Sequence, residues 1–373
     1  MNHNHMNPSD RLDAVHVIPG DSKNKIVELI VQSKCLAYGV LEIYDLDPTM
    51  RIHCEEIGVS HFSLGFKKRK LIRQFITLLL WVYVNKPRVL FLHSFYPSVF
   101  GIGLFFLCPF TKSISVRHHN QVHLISENRK AIHLDKLVSR FTHRTVAVSK
   151  TVRETLIQQN CRPNKIDVIH NGLELSRVNR VEAKANRKVG TLKLLAAGRL
   201  DWQKNYELML FIAAELKNQK IDFHLSILGN GHESYREQLF TLSDQLELKT
   251  HVSWLGWQPD IEEWLSQSHI FIHTALDEAC PLVLIEALLF GIPIVSSRMG
   301  GSGEILSDFY PETNPVDVKS FTSQIIDTWN ELSISSESAL NKRTLAVEKY
   351  GAETMRRKYE VLTLSYLGRS SGR

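Results

Sequence analysis

Short runs of apolar, often β-branched residues alternate along the chain with longer stretches in which apolar positions recur at helical spacing. Helical stretches separate nearly all of these runs, and that alternation is typical of parallel sheets in α/β proteins. The pattern therefore predicts an α/β fold built on parallel sheets. The runs predict strands at Val15–Ile18, Val89–His93, Ser113–Arg117, Arg144–Val148, Asp167–Ile169, Lys193–Ala197, His224–Leu228, Val252–Leu255, Ile270–His273 and Ile294–Ser296.

A polar, basic stretch near the middle of the chain lacks this pattern and predicts an interdomain linker over residues 176–190. We expect an N-terminal domain over residues 1–175 and a C-terminal domain over residues 191–340. A helical segment over residues 341–373 is expected to return toward the N-terminal domain. The length of 373 residues suits two domains.

The uncharged stretch from Val89 to Phe110 is long enough to cross a bilayer. Pro97, Pro109 and two glycines interrupt it, however, so the pattern favours a strand, a helix opening at Pro97 and a second strand. A membrane span is the alternative. The polar N-terminus has no apolar segment, so no secretory signal is expected.

Composition narrows the class of protein. The chain is 43% hydrophobic and 23% charged, which excludes wholly disordered and fibrous proteins. Its five cysteines are scattered, with no C-x-x-C pair, so neither a disulfide framework nor a zinc ribbon is expected. This cysteine usage fits a reducing compartment.

Common nucleotide-binding motifs are missing from the sequence. No G-x-x-x-x-G-K-[ST] occurs, and no G-x-G-x-x-G follows a predicted strand. Asp45 and Asp47 form a D-x-D that could chelate a metal-bound nucleotide sugar. Because Pro48 follows directly, a surface turn is favoured for this pair.

The most informative segment runs from His273 to Gly291. A helix is predicted to start at Pro281 and to end at Gly291. The first-turn amides of Leu282 and Val283 would suit a phosphate, and Glu286 lies on the same helix face. A carboxylate among apolar neighbours is costly unless a ligand such as a ribose binds it. A surface glutamate on an amphipathic helix is the alternative.

Glu278 stands eight residues before Glu286, in the loop ahead of that helix. This spacing and context resemble the family 4 retaining glycosyltransferases of GT-B fold, in which two Rossmann-like parallel-sheet domains face each other across a cleft. Other matching segments follow in the family's order, and together they cover about residues 145–305: Ile169–Leu173, Ala197–Asn205, Leu228–Gly231, Val252–Gly256 and Gly300–Glu304.

The resemblance implies roles for matching residues. Arg199 and Lys204 would neutralise the donor diphosphate and the charge that grows on it as it leaves; two solvated surface cations are the alternative. Glu278 would contact sugar hydroxyls and the reacting centre, and Glu286 the ribose. Donor-binding residues would further include Gly229, Leu255, Gly256, Leu282 and Val283. No metal or cofactor is implied beyond a UDP-, GDP- or ADP-sugar donor.

The N-terminal half matches the family less well. Its glycine-rich loop after the first strand is reduced to Pro19–Lys23. The segment Arg117-His118-His119-Asn120 resembles the family's histidine-containing loop, in which a histidine could hydrogen-bond the transferred sugar or the acceptor hydroxyl. His118 and His119 remain equal candidates, and a structural role is the alternative for both.

Charge is distributed unevenly along the chain. No Asp or Glu occurs from Ile57 to Ser126, whereas Lys67–Arg73 is basic and leads into an apolar segment containing Trp81 and Tyr83. This combination predicts contact with an anionic membrane surface, in which attraction by cations and insertion of apolar groups act together. A solvated basic turn is the alternative. No nucleic acid partner is expected, because no binding motif accompanies the patch.

The sequence thus predicts a retaining glycosyltransferase that moves a sugar from a nucleoside-diphosphate sugar to a hydroxyl acceptor. The expected acceptor is a polysaccharide, a lipopolysaccharide or a lipid-linked saccharide, met at the cytoplasmic face of the cell membrane. Two other hypotheses stay open. One is a nucleotide-sugar epimerase of the same fold, and the other is a catalytically silent protein that binds sugar or lipid as part of a larger complex.

Overall fold

The computed structural model describes residues 12–19, 25–33, 35–44, 48–67, 70–118, 129–174, 190–310, 315–332 and 336–368. The chain divides into two compact units. Unit 1 contains the described residues up to Gly172 and those from Ala352 onward, and unit 2 contains those from Leu173 to Gly351. Asp45, Asp47, His119 and nearly all of the predicted linker lie outside the described residues.

Unit 1 is built on a parallel sheet in the order β3-β2-β1-β4-β5-β6-β7. Its strands are β1 Ala14–Ile18, β2 Tyr38–Tyr44, β3 Ser60–Phe66, β4 Val89–His93, β5 Lys112–Arg117, β6 Arg144–Ala147 and β7 Ile166–Val168. Its helices are α1 Lys25–Ile30, α2 Thr49–Glu56, α3 Leu71–Asn85, α4 Phe95–Leu107, α5 Arg129–Phe141, α6 Lys150–Gln158 and, from the C-terminus, α14 Ala352–Leu367.

Unit 2 is built on a second parallel sheet in the order β10-β9-β8-β11-β12. Its strands are β8 Leu192–Ala197, β9 Phe223–Leu228, β10 Val252–Gly256, β11 Ile270–His273 and β12 Ile294–Ser296. Its helices are α7 Tyr206–Asn218, α8 Glu233–Gln245, α9 Ile261–Gln267, α10 Leu282–Phe290, α11 Gly301–Leu306, α12 Val318–Glu331 and α13 Ser336–Tyr350.

The predicted α/β class with parallel sheets is confirmed, and each predicted strand is present to within one residue at either end. Two further strands, β2 and β3, were missed. Glu42 interrupts the apolar run of β2, although it is buried and its Oε2 lies 2.8 Å from Nε2 of His61 on β3. Strand β3 is an edge strand with mostly half-exposed residues, so its sequence lacks a buried strand's pattern.

The stretch Val89–Phe110 forms β4 and α4, as the proline pattern favoured. Pro97 is the third residue of α4 rather than its first. Within the described ranges, no helix combines the length and the apolar character needed to cross a membrane.

Helix α3 buries one face and exposes an apolar stripe on another. Gln74, Leu78 and Val82 face the core of unit 1. The exposed stripe, called here the α3 ridge, recurs at every fourth position and consists of Ile72, Ile76, Leu80 and Val84, which are 49–78% exposed.

Trp81 was expected to insert into a membrane, but it is half-buried and packs edge-on against Phe62, with ring centroids 5.1 Å apart. Arg117 is a further cation of the stretch without acidic residues, but it does not lie on the surface. It is only 4% exposed, forms an ion pair with Asp135 and lies over the ring of Phe95. Lys67, Lys70, Arg73 and Lys86 are exposed.

Candidate functional site

The order of strands in unit 2 marks the place where a ligand is expected. The chain leaves β8 toward β9 and β10 on one side of the sheet, and β11 and β12 lie on the other side. Such a reversal opens a crevice beyond the carboxyl ends of the two central strands, and α/β sheets bind ligands there. The loops that follow β8 and β11 carry Arg199, Lys204 and Glu278.

The loop after β8 is a short, locally capped segment. Asp201 Oδ1 accepts a hydrogen bond from the Gln203 amide at 3.1 Å and so caps the single helical turn Trp202–Lys204. Arg199 Nε donates to Asp201 Oδ2 at 2.6 Å, while its side chain remains 73% exposed. The guanidinium is therefore oriented by a neighbour and open to solvent.

Lys204 and Glu278 form an ion pair between the loops after β8 and β11. Their side chains are 21% and 14% exposed. The two loops are also joined through the backbone, since Thr274 Oγ1 donates to the Lys204 carbonyl at 2.9 Å and the Leu276 amide donates to the Gln203 carbonyl at 2.8 Å. The structure thus brings two predicted site residues, 74 positions apart in sequence, into contact at the switch point.

His273, the last residue of β11, holds Glu278 from the other side. Its Nε2 lies 3.2 Å from Glu278 Oε1, and its Nδ1 lies 3.2 Å from Ser296 Oγ. Burial lowers the pKa of His273, so the ring is neutral at neutral pH. A neutral ring that donates from Nε2 accepts the Ser296 hydroxyl at Nδ1. The sequence analysis gave His273 no role. Its position at the carboxyl end of a predicted strand, where ligands bind in α/β sheets, was the signal that could have identified it.

Glu278 remains ionised although it is buried. Burial alone would raise its pKa, but the hydrogen bond from His273 and the charge of Lys204 outweigh that effect and lower the pKa from 4.5 to about 2. The site therefore holds a fixed negative charge beside a fixed positive one.

Gly301 explains how the loop that carries Glu278 is positioned. The Gly301 amide donates to the Glu278 carbonyl at 2.6 Å. A Cβ at Gly301 would lie 2.0 Å from the Ala279 carbonyl oxygen, which is far inside van der Waals contact. Only glycine allows the start of α11 to lie this close to the loop.

Helix α10 begins at Leu282, with Pro281 as its N-cap, one residue later than expected. It ends at Gly291, whose φ of 72° is the left-handed conformation expected of a C-terminal glycine. The amides of Leu282 and Val283 belong to the first turn, where no intrahelical acceptor exists. Glu286 lies one turn further on, half-buried between the buried Ile285 and Ala287.

The remaining donor-binding candidates lie at the same edge of the sheet. Gly229 follows β9, and its amide donates to the carbonyl of Gly256 at the end of β10 at 2.7 Å. A Cβ at Gly229 would lie 1.9 Å from the Gly198 carbonyl oxygen, so the loops after β8 and β9 meet only because this residue is glycine. Leu255 is half-buried, and its carbonyl accepts from Gln258 Nε2 at 2.8 Å.

In unit 1, the structure describes His118 but not His119. His118 follows β5, and its Nε2 lies 2.7 Å from Nδ1 of His93, the last residue of β4. His93 is fully buried, whereas His118 is half-buried. His93 received no role from sequence reasoning. Among the described residues, no group of three or more His, Cys, Asp or Glu side chains is arranged to hold a metal ion.

Comparison with known proteins extends these observations. Residues 45–177 match the family model for glycosyltransferase family 4, and residues 179–331 match the model for glycosyl transferases group 1. A crystal structure of HepE from Anabaena in complex with UDP and glucose has a TM-score of 0.80 at 15% identity, covering 95% of this chain and 100% of that one. At that identity, the likeness shows the fold.

Two curated relatives illustrate the sequence similarity. One component of the human phosphatidylinositol N-acetylglucosaminyltransferase is 28% identical over 170 residues, which are 45% of this chain and 34% of the relative. The Escherichia coli UDP-Gal:α-D-GlcNAc-diphosphoundecaprenol α-1,3-galactosyltransferase is 27% identical over 226 residues, which are 56% of this chain and 57% of the relative. The curated relatives that head the comparison are matched over about a third to two thirds of their length.

The two parallel-sheet units, with their candidate site at the switch point of unit 2, define a protein of GT-B fold. The two family models specify it further: the chain belongs to the group 1, or family 4, glycosyltransferases.

The ion pair of Glu278 generates a pH-dependent prediction. A carboxylate whose pKa falls from 4.5 to about 2 on folding stabilises the protein above pH 4.5, and this contribution is lost as the pH falls toward 2. At pH 7, we expect Glu278→Gln to lower the free energy of unfolding by about 3 kcal/mol, at 1.36 kcal/mol per pKa unit. The difference from wild type should shrink steadily below pH 4.5 in denaturant titrations.

Glu237→Gln is the matched control, because Glu237 is an exposed carboxylate on α8. It should leave the free energy of unfolding within about 0.5 kcal/mol of wild type. Equal stabilities of Glu278→Gln and wild type at pH 7 would contradict the ion pair.

Proposed function

We propose that the chain transfers a sugar from a nucleoside-diphosphate sugar to a hydroxyl of a polysaccharide, lipopolysaccharide or lipid-linked saccharide acceptor, with retention of anomeric configuration. The observation that carries the proposal is the convergence of Lys204, Glu278 and the first turn of α10 at the switch point of unit 2. Family membership supports the same reaction class.

The cations would act on the leaving group. As the glycosidic bond breaks, the diphosphate gains negative charge, and fixed donors aimed at that charge lower the barrier. Lys204 is partly buried and already oriented, and Arg199 is oriented by Asp201 with its guanidinium exposed. The first-turn amides of Leu282 and Val283 add the positive end of α10.

The two glutamates would contact different parts of the donor. Glu278, ionised with its pKa near 2, would accept hydrogen bonds from sugar hydroxyls and stabilise the positive charge that develops at the anomeric carbon. Glu286, one turn into α10, would accept from the ribose hydroxyls. Gly229, Leu255 and Gly256 would line the nucleotide side of the same edge.

Retention would follow from attack on the face that the diphosphate leaves. The acceptor oxygen forms its bond to the anomeric carbon as the bond to the diphosphate oxygen breaks. The departing diphosphate oxygen takes the proton of the acceptor hydroxyl. This scheme uses no covalent nucleophile and assigns the neutralising role to side-chain cations and the helix end rather than to a metal.

Relatives guide the choice of substrates to test. HepE was crystallised with UDP, and the Escherichia coli relative is named for a UDP-galactose donor and a diphosphoundecaprenol-linked acceptor. Uridine donors and lipid-linked saccharides are therefore the first candidates for this chain, ahead of GDP- and ADP-sugars.

A lipid-linked acceptor would bring the protein to a membrane, and the α3 ridge supplies a surface suited to one. The ridge lies beside further exposed apolar side chains at the end of α4, Phe106 and Leu107, to which Tyr83 connects it by donating to the Leu107 carbonyl at 2.6 Å. Exposed Lys67, Lys70 and Arg73 lie next to the ridge in a stretch without acidic residues. Apolar insertion and attraction to anionic headgroups would act together there, at the cytoplasmic face.

Of the predictions that follow from the proposed function, the first concerns the leaving group. Arg199→Ala and Lys204→Ala should each raise the barrier for transfer by about 2–4 kcal/mol, because each removes one fixed donor. Steady-state turnover with each donor measures this, and Lys249→Ala, an exposed lysine outside the site, is the control. Turnover within threefold of wild type in both site variants would contradict the assignment.

The same assay separates the rival hypotheses. Incubation with donor alone should yield no new sugar epimer, and formation of one would favour an epimerase. No turnover with any donor and acceptor, despite binding of the nucleotide, would favour a silent binding protein. The anomeric configuration of the product, read by NMR, tests retention.

The second prediction concerns Glu286. Replacing it by Gln should weaken binding of free nucleoside diphosphate, because a neutral amide accepts more weakly from the ribose hydroxyls than a carboxylate does. Glu278→Gln should mainly lower turnover, since the free nucleoside diphosphate lacks the transferred sugar that Glu278 would contact. Calorimetric titration with UDP measures both. Unchanged affinity in Glu286→Gln would remove its ribose role.

The third prediction concerns the membrane surface. Replacing Ile72, Ile76, Leu80 and Val84 by Ser should abolish binding to vesicles that contain anionic lipid, because the inserted apolar area is lost. Reversing Lys67, Lys70 and Arg73 to Glu should also abolish it, since each cation contributes about 1 kcal/mol near an anionic leaflet. High salt should have the same effect on the wild type.

Val361→Ser is the control for the ridge variants, because Val361 is 48% exposed on α14 and lies outside the ridge. It should bind vesicles like wild type. Equal binding of wild type to neutral and anionic vesicles, or no binding to either, would contradict the membrane proposal.

A further inference from the structure

Three histidines form a hydrogen-bonded row across neighbouring strands of unit 1. His16 lies on β1, His93 ends β4, and His118 follows β5. His16 Nδ1 lies 2.8 Å from His93 Nε2, and His93 Nδ1 lies 2.7 Å from His118 Nε2. The row follows from the sheet: Phe91 pairs with His16 in register, so His93, two residues further, projects from the same face.

The inner end of this row is enclosed by aromatic rings. His16 and His93 are fully buried. The ring of His16 stacks on Phe91 with centroids 4.7 Å apart, and Tyr38 and Tyr359 approach it at 5.3 and 6.0 Å. Nε2 of His16 is buried and has no hydrogen-bond partner in the described part of the chain.

Burial also keeps the inner rings uncharged. It lowers the pKa of His16 to about 3 and that of His93 well below 6.5. A neutral imidazole carries one N–H and one bare nitrogen, so His93 donates through one nitrogen and accepts through the other, and His16 either donates or accepts at Nδ1. The protonated nitrogen of His16 therefore sets the direction of both hydrogen bonds in the row.

The surroundings of His16 Nε2 favour its protonated form. A lone pair at Nε2 meets no hydrogen-bond donor in the described part of the chain, whereas the π systems of Tyr38 and Tyr359, inclined to the His16 ring by 59° and 62°, can accept an N–H. With hydrogen on Nε2, His16 accepts at Nδ1 from the Nε2–H of His93. His93 then accepts at Nδ1 from the Nε2–H of His118.

We propose that His16 and His93 are positioning residues that hold His118 as its Nε2–H tautomer, with Nδ1 as a hydrogen-bond acceptor for a hydroxyl of the acceptor or of the transferred sugar. The ring of His118 is also fixed in orientation, because it stacks on His93 with centroids 5.0 Å apart. The role of His118 toward a hydroxyl rests on the proposed transferase function. The assignment of the tautomers rests only on the hydrogen bonds and the burial of the row.

NMR of histidine-labelled protein tests the row directly. Long-range proton–nitrogen correlations distinguish a protonated ring nitrogen from a bare one, and we expect the Nε2–H form for all three rings at neutral pH. An Nδ1–H form for His118 or His16 in the wild type would overturn the proposal. This measurement needs no substrate, so it stands even if transferase activity is never found.

Variants connect the row to turnover. His93→Leu removes the acceptor for His118, and His16→Phe keeps ring packing but removes the acceptor for His93. Both should lower kcat at least tenfold while the donor KM stays within threefold, and His118 should populate both tautomers. His93→Asn places a carbonyl oxygen near the position of Nδ1 and should restore the tautomer and most of the turnover.

His143→Phe is the matched control in unit 1. His143 is half-buried and accepts at Nδ1 from the Ser113 amide at 3.2 Å, so its loss should cost stability without touching the row. Neither the tautomer of His118 nor kcat should change. If His118 keeps the Nε2–H form in both His93→Leu and His16→Phe, the row does not position it and the proposal fails.

Discussion

Glu278 is a charged carboxylate held out of water, and the loops at the carboxyl edge of the unit 2 sheet are arranged around that constraint. A buried charge is tolerated only when it is paired and hydrogen-bonded. Lys204 arrives from the loop after β8 and His273 from the end of β11, and both meet the carboxylate; Gly301, at the start of α11, donates instead to the Glu278 backbone carbonyl. The two side-chain partners come from the ends of two different strands, so satisfying one carboxylate holds the loops after β8 and β11 together, and the backbone contact adds the start of α11.

The two units bury ionisable side chains with opposite electrostatic results. In unit 2, Lys204 and a hydrogen bond from His273 overcome desolvation and keep Glu278 charged. In unit 1, no carboxylate is paired with His16 or His93 among the described contacts, so desolvation dominates and keeps both rings neutral. A fixed charge suits stabilisation of developing charge, and a neutral ring of fixed tautomer suits acceptance of a hydroxyl proton.

Local sequence pattern predicted most of the sheets and the motif residues, because strand periodicity and strand–loop–helix context are properties of neighbouring positions. It missed β2 because a buried Glu42 needs His61 from another strand to be explained. It also missed the row of histidines, whose inner hydrogen bond joins positions 77 apart. The Lys204–Glu278 contact spans 74 positions, so both residues were identified by resemblance while their pairing required the fold.

Burial also distinguishes residues that lie close together in the sequence and look alike there. Trp81 and the α3 ridge lie in one apolar run, yet the helical turn directs Trp81 toward Phe62 and the ridge toward solvent. Arg117 and Lys70 belong to one acid-free stretch, yet Arg117 is neutralised inside unit 1 by Asp135 and only Lys70 is available to a partner. Unit 1 thus carries the ridge, its exposed cations and His118 on a single sheet-based scaffold. For a lipid-linked acceptor, the unit that we propose to contact the bilayer would also present the residue that we propose to meet the acceptor hydroxyl.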